Sequence, residues 1–377
     1  MKNPLVIHWL LEENQPPIRY LTLTELLGRS EREPEVKSVR ASIADTGWAK
    51  TIFDKQLPSG CWHHEKSLFN PTFLATFWML LVLSDLGVRK DDPRVKRACE
   101  LWMERNGTKD GGFSDSGKAA GHLCITGNSA RALIKFGYAD HPRVRKVFDW
   151  IVGHQAELGG WSCWNFGEKR TGRTLDSWEP LSAFAVYPRQ KWTRSMKLAC
   201  ERGAEFYLQR ELHKQGAHWE PWYRFHYPVH YYYDLLVGLE VMTALGYTSD
   251  KRLGYAMSLL NAKRRPDGRW NVDANRPEES AALAAFRKKN PRSKALTPFV
   301  LENPGEPSKM ITLTESRSVP NMIGTGPMKR IPPPLTRLSL FFPDMIIRMI
   351  AANATNNPVT VSPNPISNIR SVKFLRN

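Results

Sequence analysis

His230 and Asp234 stand four residues apart in VHYYYDLLVGL. On a helix that spacing puts both side chains on one face, where they could exchange a proton or hold a metal ion. Cys124 (HLCITGN) and Cys163 (WSCW) offer thiolates to the same ion, and zinc is the cofactor such a mixed set implies. Asp176 and Glu179 are a second carboxyl pair, one helical turn apart, suited to acid–base work. Around these lie Trp164, Trp178, Tyr231, Tyr232 and Tyr233, whose ring faces would suit an apolar ligand carrying developing positive charge. Asn70 and Asn128 add polar contacts. Each assignment has a plainer structural reading. A buried cysteine is usually a small hydrophobe, the aromatics can be ordinary core, and Thr126 or Asn128 can cap a helix. The proposed ligands also lack a compact zinc spacing.

The elements that must position these residues repeat. SGCW ends at Trp62, DGGF at Phe113, LGGW at Trp161, GAHW at Trp219 and DGRW at Trp270, with spacings of 51, 48, 58 and 51 residues. A period in this range marks a repeat architecture. Before each turn runs a charged amphipathic segment (91–106, 141–155, 193–212, 249–264). In 141–155, Val144, Val147, Phe148 and Ile151 form one apolar stripe. After the turns come more apolar segments (70–87, 126–137, 227–246), each ending in the glycine that stops a helix. The unit is an outer polar helix, a Gly-aromatic turn and an inner apolar helix. Inner helices this apolar predict closure into a ring rather than an open solenoid. The fold class is all-α, an α/α toroid of about five to six helix pairs.

Composition sets the outer limits. The chain has 377 residues, 13 Trp and a formal net charge of +17, a balance that favours acidic partners. Basic runs and RNA-binding signatures are absent, which disfavours nucleic acid. Five scattered cysteines without CxxC spacing predict reduced thiols and a cytoplasmic location. The N-terminal apolar stretch is too short and acidic for a signal peptide, and no run is long enough for a transmembrane segment.

The segment from Trp150 to Trp161 resembles the repeat of terpenoid cyclases, with Trp150, Ile151, Gln155, Gly159 and Trp161 in register. Gln56, Gly60 and Trp62 match in the first copy; the last keeps Gly268 and Trp270 but has Arg264 for the glutamine. Over about residues 17–313 the chain is similar to the prenyltransferase/squalene-cyclase superfamily, and most similar to its short, single-toroid bacterial and archaeal type. The resemblance implies an α/α toroid, but this fold hosts cyclases, prenyltransferases and non-enzymes. The DxDD acid of class II cyclases is missing, as is the Asp-x-Cys zinc pair of protein prenyltransferases. VHYYYDLLVGL echoes the latter's His-containing helix with one residue extra before Gly-Leu.

The sequence therefore predicts a toroid over residues 1–313, begun by a lead-in helix and ending in an inner helix that starts at 307–313. A Pro-rich tail, 314–377, carries nine prolines between Pro320 and Pro365 and reads as foreign to the repeat, as a change of reading frame would produce. The expected function is a terpenoid cyclase- or prenyltransferase-like ring binding an isoprenoid or other apolar molecule centrally. A non-catalytic scaffold binding protein or lipid is the alternative, with peripheral membrane contact compatible with either. A carbohydrate-active ring ranks behind both, resting on Asp176 and Glu179 alone.

Overall fold

The computed structural model describes residues 3–163, 172–213, 220–230, 232–274 and 300–318, apart from the side chains of 220 and 221. Among them the regular structure is helical, with only isolated β-bridges at the turns. Helices α1 (Pro4–Leu10), α2 (Pro16–Leu21, continued by a π turn Thr22–Leu26), α3 (Pro34–Ser42) and α4 (Gly47–Phe53) come first. Then inner and outer helices alternate: α5 (Thr76–Asp85), α6 (Pro93–Asn106), α7 (Leu123–Phe136), α8 (Pro142–Gly153), α9 (Thr174–Val186), α10 (Arg194–Leu208), α11 (Leu235–Leu245), α12 (Gly254–Ala262) and α13 (Lys309–Ser318).

Contacts run from α5 to α7, α9, α11 and α13, and α13 then packs on α2 and its π turn. Tyr20 of α2 lies against Gly87 at the end of α5. The inner ring is closed with six positions, so the chain is an α/α toroid. Outer helices keep one apolar face: in α8 the buried set is Val144, Val147, Phe148, Trp150 and Ile151. Inner helices are buried nearly all round, as in α5 from Thr76 to Ser84. Proline opens α6 and α8, where the missing N–H is one the first turn leaves unpaired anyway.

The Gly-aromatic turns are hydrogen-bonded joints. The backbone N–H of Trp62, Phe113, Trp161 and Trp270 donates to a hydroxyl of the following inner helix: Thr76, Thr126, Ser177 and Thr312, at 2.8–3.1 Å. Each indole N–H donates back to the carbonyl ten residues earlier, Trp62 to Ile52, Trp161 to Ile151 and Trp270 to Leu260. The repeat glutamine ties neighbouring units. Gln155 donates to Gly159 O within its own turn and to Ala199 O on α10; Gln56 does the same to Gly60 O and Arg94 O on α6. In the second unit the glutamine position is Gly107, and the guanidinium of Arg143 from α8 lies where a side chain would otherwise start. Thr126 is thus an interior residue of α7 serving the joint, not a helix cap; His122 precedes the helix.

Gly159 shows why the turn needs glycine. Its φ is +100°, and a Cβ there would meet Arg202 O of α10 at 2.5 Å. A Cβ at Gly60 would meet the Arg97 side chain of α6 at 2.9 Å, and Gly268 faces Asn3 and Val6 of the α1 segment. Helix α1 is therefore not a lead-in but the outer helix that follows the last turn. Lys309 of α13 completes the seam with bonds to Trp9 O, Glu12 and Asn14.

Two expected boundaries shift. The helix expected over 227–246 starts only at Leu235, because the Asp234 carboxylate accepts the N–H of Val237 and caps it there. The helix expected to start at 307–313 spans Lys309–Ser318, and its Arg317 pairs with Glu25 and Glu240. The tail from residue 319 and Trp219 lie outside the described residues.

Two substitutions test the joints and the seam. Gly159→Ala is expected to lower unfolding free energy by about 2 kcal/mol or more, through strain at positive φ. Arg317→Met should cost about 1 kcal/mol, since Glu25 and Glu240 are partly exposed and solvent takes over much of the pairing. Urea titration followed by circular dichroism reads both, and unchanged midpoints would contradict the assignment.

Candidate functional site

The sequence-selected residues fall into two groups. The first sits where α7 and α9 begin. Cys124, in the first turn of α7, and Cys163, just past Trp161, have their sulfurs 3.5 Å apart. The Cys163 N–H donates to Asp176 Oδ2 on α9, and Glu179 follows one turn further in. Both carboxyls are buried. Burial raises Asp176 above the usual carboxylate range despite Arg173 and the Cys163 N–H. Glu179 is pushed well up by burial and then by Asp176, and its Oε2 has no hydrogen-bond partner among the described residues. The two helices approach closely enough that a Cβ at Gly127 would meet the Glu179 backbone at 2.7 Å. Asn128 is turned to its own helix, donating to Cys124 O and accepting from Arg131. Trp178 is buried with the Arg131 guanidinium 5.6 Å from its ring centre.

The second group belongs to the stretch 225–234 ahead of α11. Asp234 is shared: one oxygen caps α11, and the other accepts from His226 N at 3.2 Å and meets His226 Nδ1 at 2.6 Å. Both side chains are buried. His230, at φ +50°, packs against Phe73 at 5.1 Å and Trp78 at 5.7 Å. Tyr232 reaches the same Phe73, and Tyr227 reaches Trp48 of α4. Tyr233 instead joins the packing with Tyr207 and donates to Leu212 O. Since α5 and α11 are three places apart in a six-place ring, these contacts span its mouth. Asn70 lies partly buried just before α5, near Phe69 and Phe73 in sequence. Trp164 and Tyr231 lie outside the described residues.

The expected metal set therefore divides. With α11 starting at Leu235, His230 and Asp234 do not share a helical face, and the partner of Asp234 is His226. Cys124 and Cys163 pair with each other. Among the described residues no three His, Cys, Asp or Glu side chains gather as a metal-binding group. The donors do not fit a single zinc site.

Three residues of these clusters are missing from the sequence-based candidates. His226 falls just ahead of a segment whose apolar pattern predicts helix, and nothing in that pattern marks it. Arg131 and Asp85 are legible as lone charges in apolar helices. Arg131 bonds Asp85 at 3.0 Å and Lys135 bonds it at 2.8 Å. Burial pushes the Asp85 carboxyl up, but the two cations pull it below its ordinary range. His226, Asp234, Asp85, Arg131 and Arg317 line a cavity of about 40 Å³, room for water rather than an organic ligand.

Known proteins show partial likenesses to the chain. No known protein-family profile matches it. Over 118 residues it is 28% identical to a squalene–hopene cyclase of Bradyrhizobium diazoefficiens, a match covering 28% of this chain and only 17% of that enzyme. Among solved structures, a variant of the type II terpene cyclase MstE of Scytonema, in complex with geranylgeranyl dihydroxybenzoate, aligns at 15% identity and TM-score 0.40, covering 81% of this chain and 86% of that one. A protein from Actinoplanes aligns at 17% identity and TM-score 0.42, covering 81% and 89%. The closed ring and its Gln–Gly–Trp joints define an α/α toroid. Among the described residues no helix is long and apolar enough to cross a membrane.

The raised pKa of Glu179 sets a pH signature. Because its folded pKa lies above 4.5, the native state holds a proton that the unfolded chain releases. Its contribution to stability is full below about pH 4.5 and is lost as pH rises through the folded pKa, at up to about 1.4 kcal/mol per pH unit. Glu179→Gln is expected to flatten that decline and to be more stable than wild type near pH 8. Equal slopes in the two proteins, measured by urea unfolding from pH 5 to 8, would show Glu179 to be ionised in the fold.

Proposed function

We propose that the protein is a terpenoid cyclase-like ring that takes an isoprenoid chain or similar apolar molecule at the mouth bordered by Phe69, Phe73, Trp78, His230 and Tyr232. Asp176 and Glu179 serve it in proton transfer. The buried Glu179, with an oxygen that has no hydrogen-bond partner among the described residues, carries this reading. A buried carboxyl left so is costly to retain unless something uses it, and it stands one turn from a second raised carboxyl. Acid strength narrows the chemistry. Protonating an alkene demands a strong acid, whereas a carboxyl with a raised pKa matches transfer to or from an oxygen atom near neutral pH. The reaction fitting these residues is thus proton transfer at a hydroxyl or carbonyl on an otherwise apolar molecule. Trp178 and the mouth aromatics would hold the hydrocarbon part.

A second reading, the non-catalytic scaffold, is favoured by one observation. The 225–234 stretch reaches Phe73, Trp78 and Trp48 on the opposite side, and the cavity lined by His226 and Asp234 is about 40 Å³. In the enzyme reading that stretch must yield when a ligand enters. Titrating the protein with polyprenyl alcohols of increasing length while following tryptophan fluorescence separates the two. The enzyme reading expects saturable binding, more protection of residues 225–234 in hydrogen exchange, and turnover lost in Glu179→Gln with affinity held within about threefold. Absence of saturable binding at every chain length favours the scaffold.

A further inference from the structure

We propose that Cys124 and Cys163 are a thiol pair built to close into a reversible disulfide between successive units of the ring. Their sulfurs are 3.5 Å apart and both residues are partly exposed, while Cys61, Cys99 and Cys200 are buried. A disulfide needs a sulfur separation of about 2.05 Å, so the gap to close is on the order of 1.5 Å, within reach of side-chain rotation. The two cysteines lie 39 residues apart, on the first turn of α7 and just past the Trp161 joint that leads to α9. A bond between them would add a covalent tie to the place where α7 and α9 meet. It would also act on the carboxyl pair, because the Cys163 N–H is the donor to Asp176.

Glutathione disulfide is the oxidant class that suits the pair. The Cys124 thiol is pushed up by its contact with Cys163 and by burial, which disfavours it as the first thiolate. The Cys163 thiolate attacks one sulfur of glutathione disulfide and releases a glutathione thiolate, leaving a mixed disulfide on Cys163. Cys124 then loses its proton to solvent and attacks the Cys163 sulfur, expelling the second glutathione. Two protein thiols are oxidised and one glutathione disulfide is reduced to two glutathiones. The inference holds whether the ring is a catalyst or a scaffold, since it rests on the thiol geometry alone.

The test equilibrates the reduced full-length protein in glutathione buffers of graded potential, quenches with an alkylating agent and maps the peptides by mass. The expected product is one cross-linked peptide pair joining Cys124 to Cys163 within a single chain, reversed by dithiothreitol. Cys61, Cys99 and Cys200 should become alkylated only after denaturation. Cys124→Ser should arrest the reaction at the mixed disulfide on Cys163. Recovery of both Cys124 and Cys163 as free thiols in the most oxidising buffer would overturn the proposal, as would cross-links to another cysteine or between chains. The deciding map is made on the wild-type protein, so folding of the variant does not bear on it.

Discussion

The ring depends on one hydrogen-bonded joint, repeated with small variations. At each described Gly-aromatic turn, an inner-helix hydroxyl receives the N–H of the aromatic residue, which fixes the inner helix relative to the turn. Where the aromatic is tryptophan, the indole N–H returns to the outer helix that precedes it. A tryptophan in this setting places its one polar atom, the indole N–H, on a carbonyl of the helix end, so the buried ring leaves no donor unpaired. The glycine lets the next outer helix approach the turn backbone, and the glutamine spans the gap to it. Remove any of these and neighbouring units can still be helical, but their mutual angle is no longer set.

This joint is also why the fold was legible. Gln155, Gly159 and Trp161 are fixed by short-range geometry repeated down the chain, so spacing alone exposes them. The hydroxyl partners were less visible. Thr76, Thr126, Ser177 and Thr312 follow their aromatics by 14, 13, 16 and 42 residues, because the intervening loops differ in length. The role of α1 was illegible for the opposite reason: its partner, the last turn, lies more than 260 residues away. The site was legible only in pieces. The one-turn spacing of Asp176 and Glu179 is realised on α9, but the apolar pattern extended α11 through residues that Asp234 excludes by capping it. One displaced helix start exchanged His230 for His226 as the partner of Asp234.

The ring interior shows two demands in competition. A six-place ring of apolar helices leaves an axial space, and this chain fills much of it with its own 225–234 stretch and with charges. Asp85 with Arg131 and Lys135, and Arg317 with Glu240 and Glu25, neutralise one another, so buried charge is tolerated there through pairing. Glu179 differs: burial, and then Asp176, push its pKa well up.

Closure through α1 has a consequence for how the chain reaches its native state. Open solenoids end in units that bury one side only and can grow or fray from those ends. Here the bonds from Lys309 to Trp9 and Asn14 join residues about 300 apart in sequence, so the last units find their final neighbours only by returning to the first. The entropy of closing so long a loop rises only logarithmically with length, but it must be met before the seam contributes anything in return. Folding of this ring is therefore expected to gain its final cooperativity late, in a single closing event, rather than unit by unit.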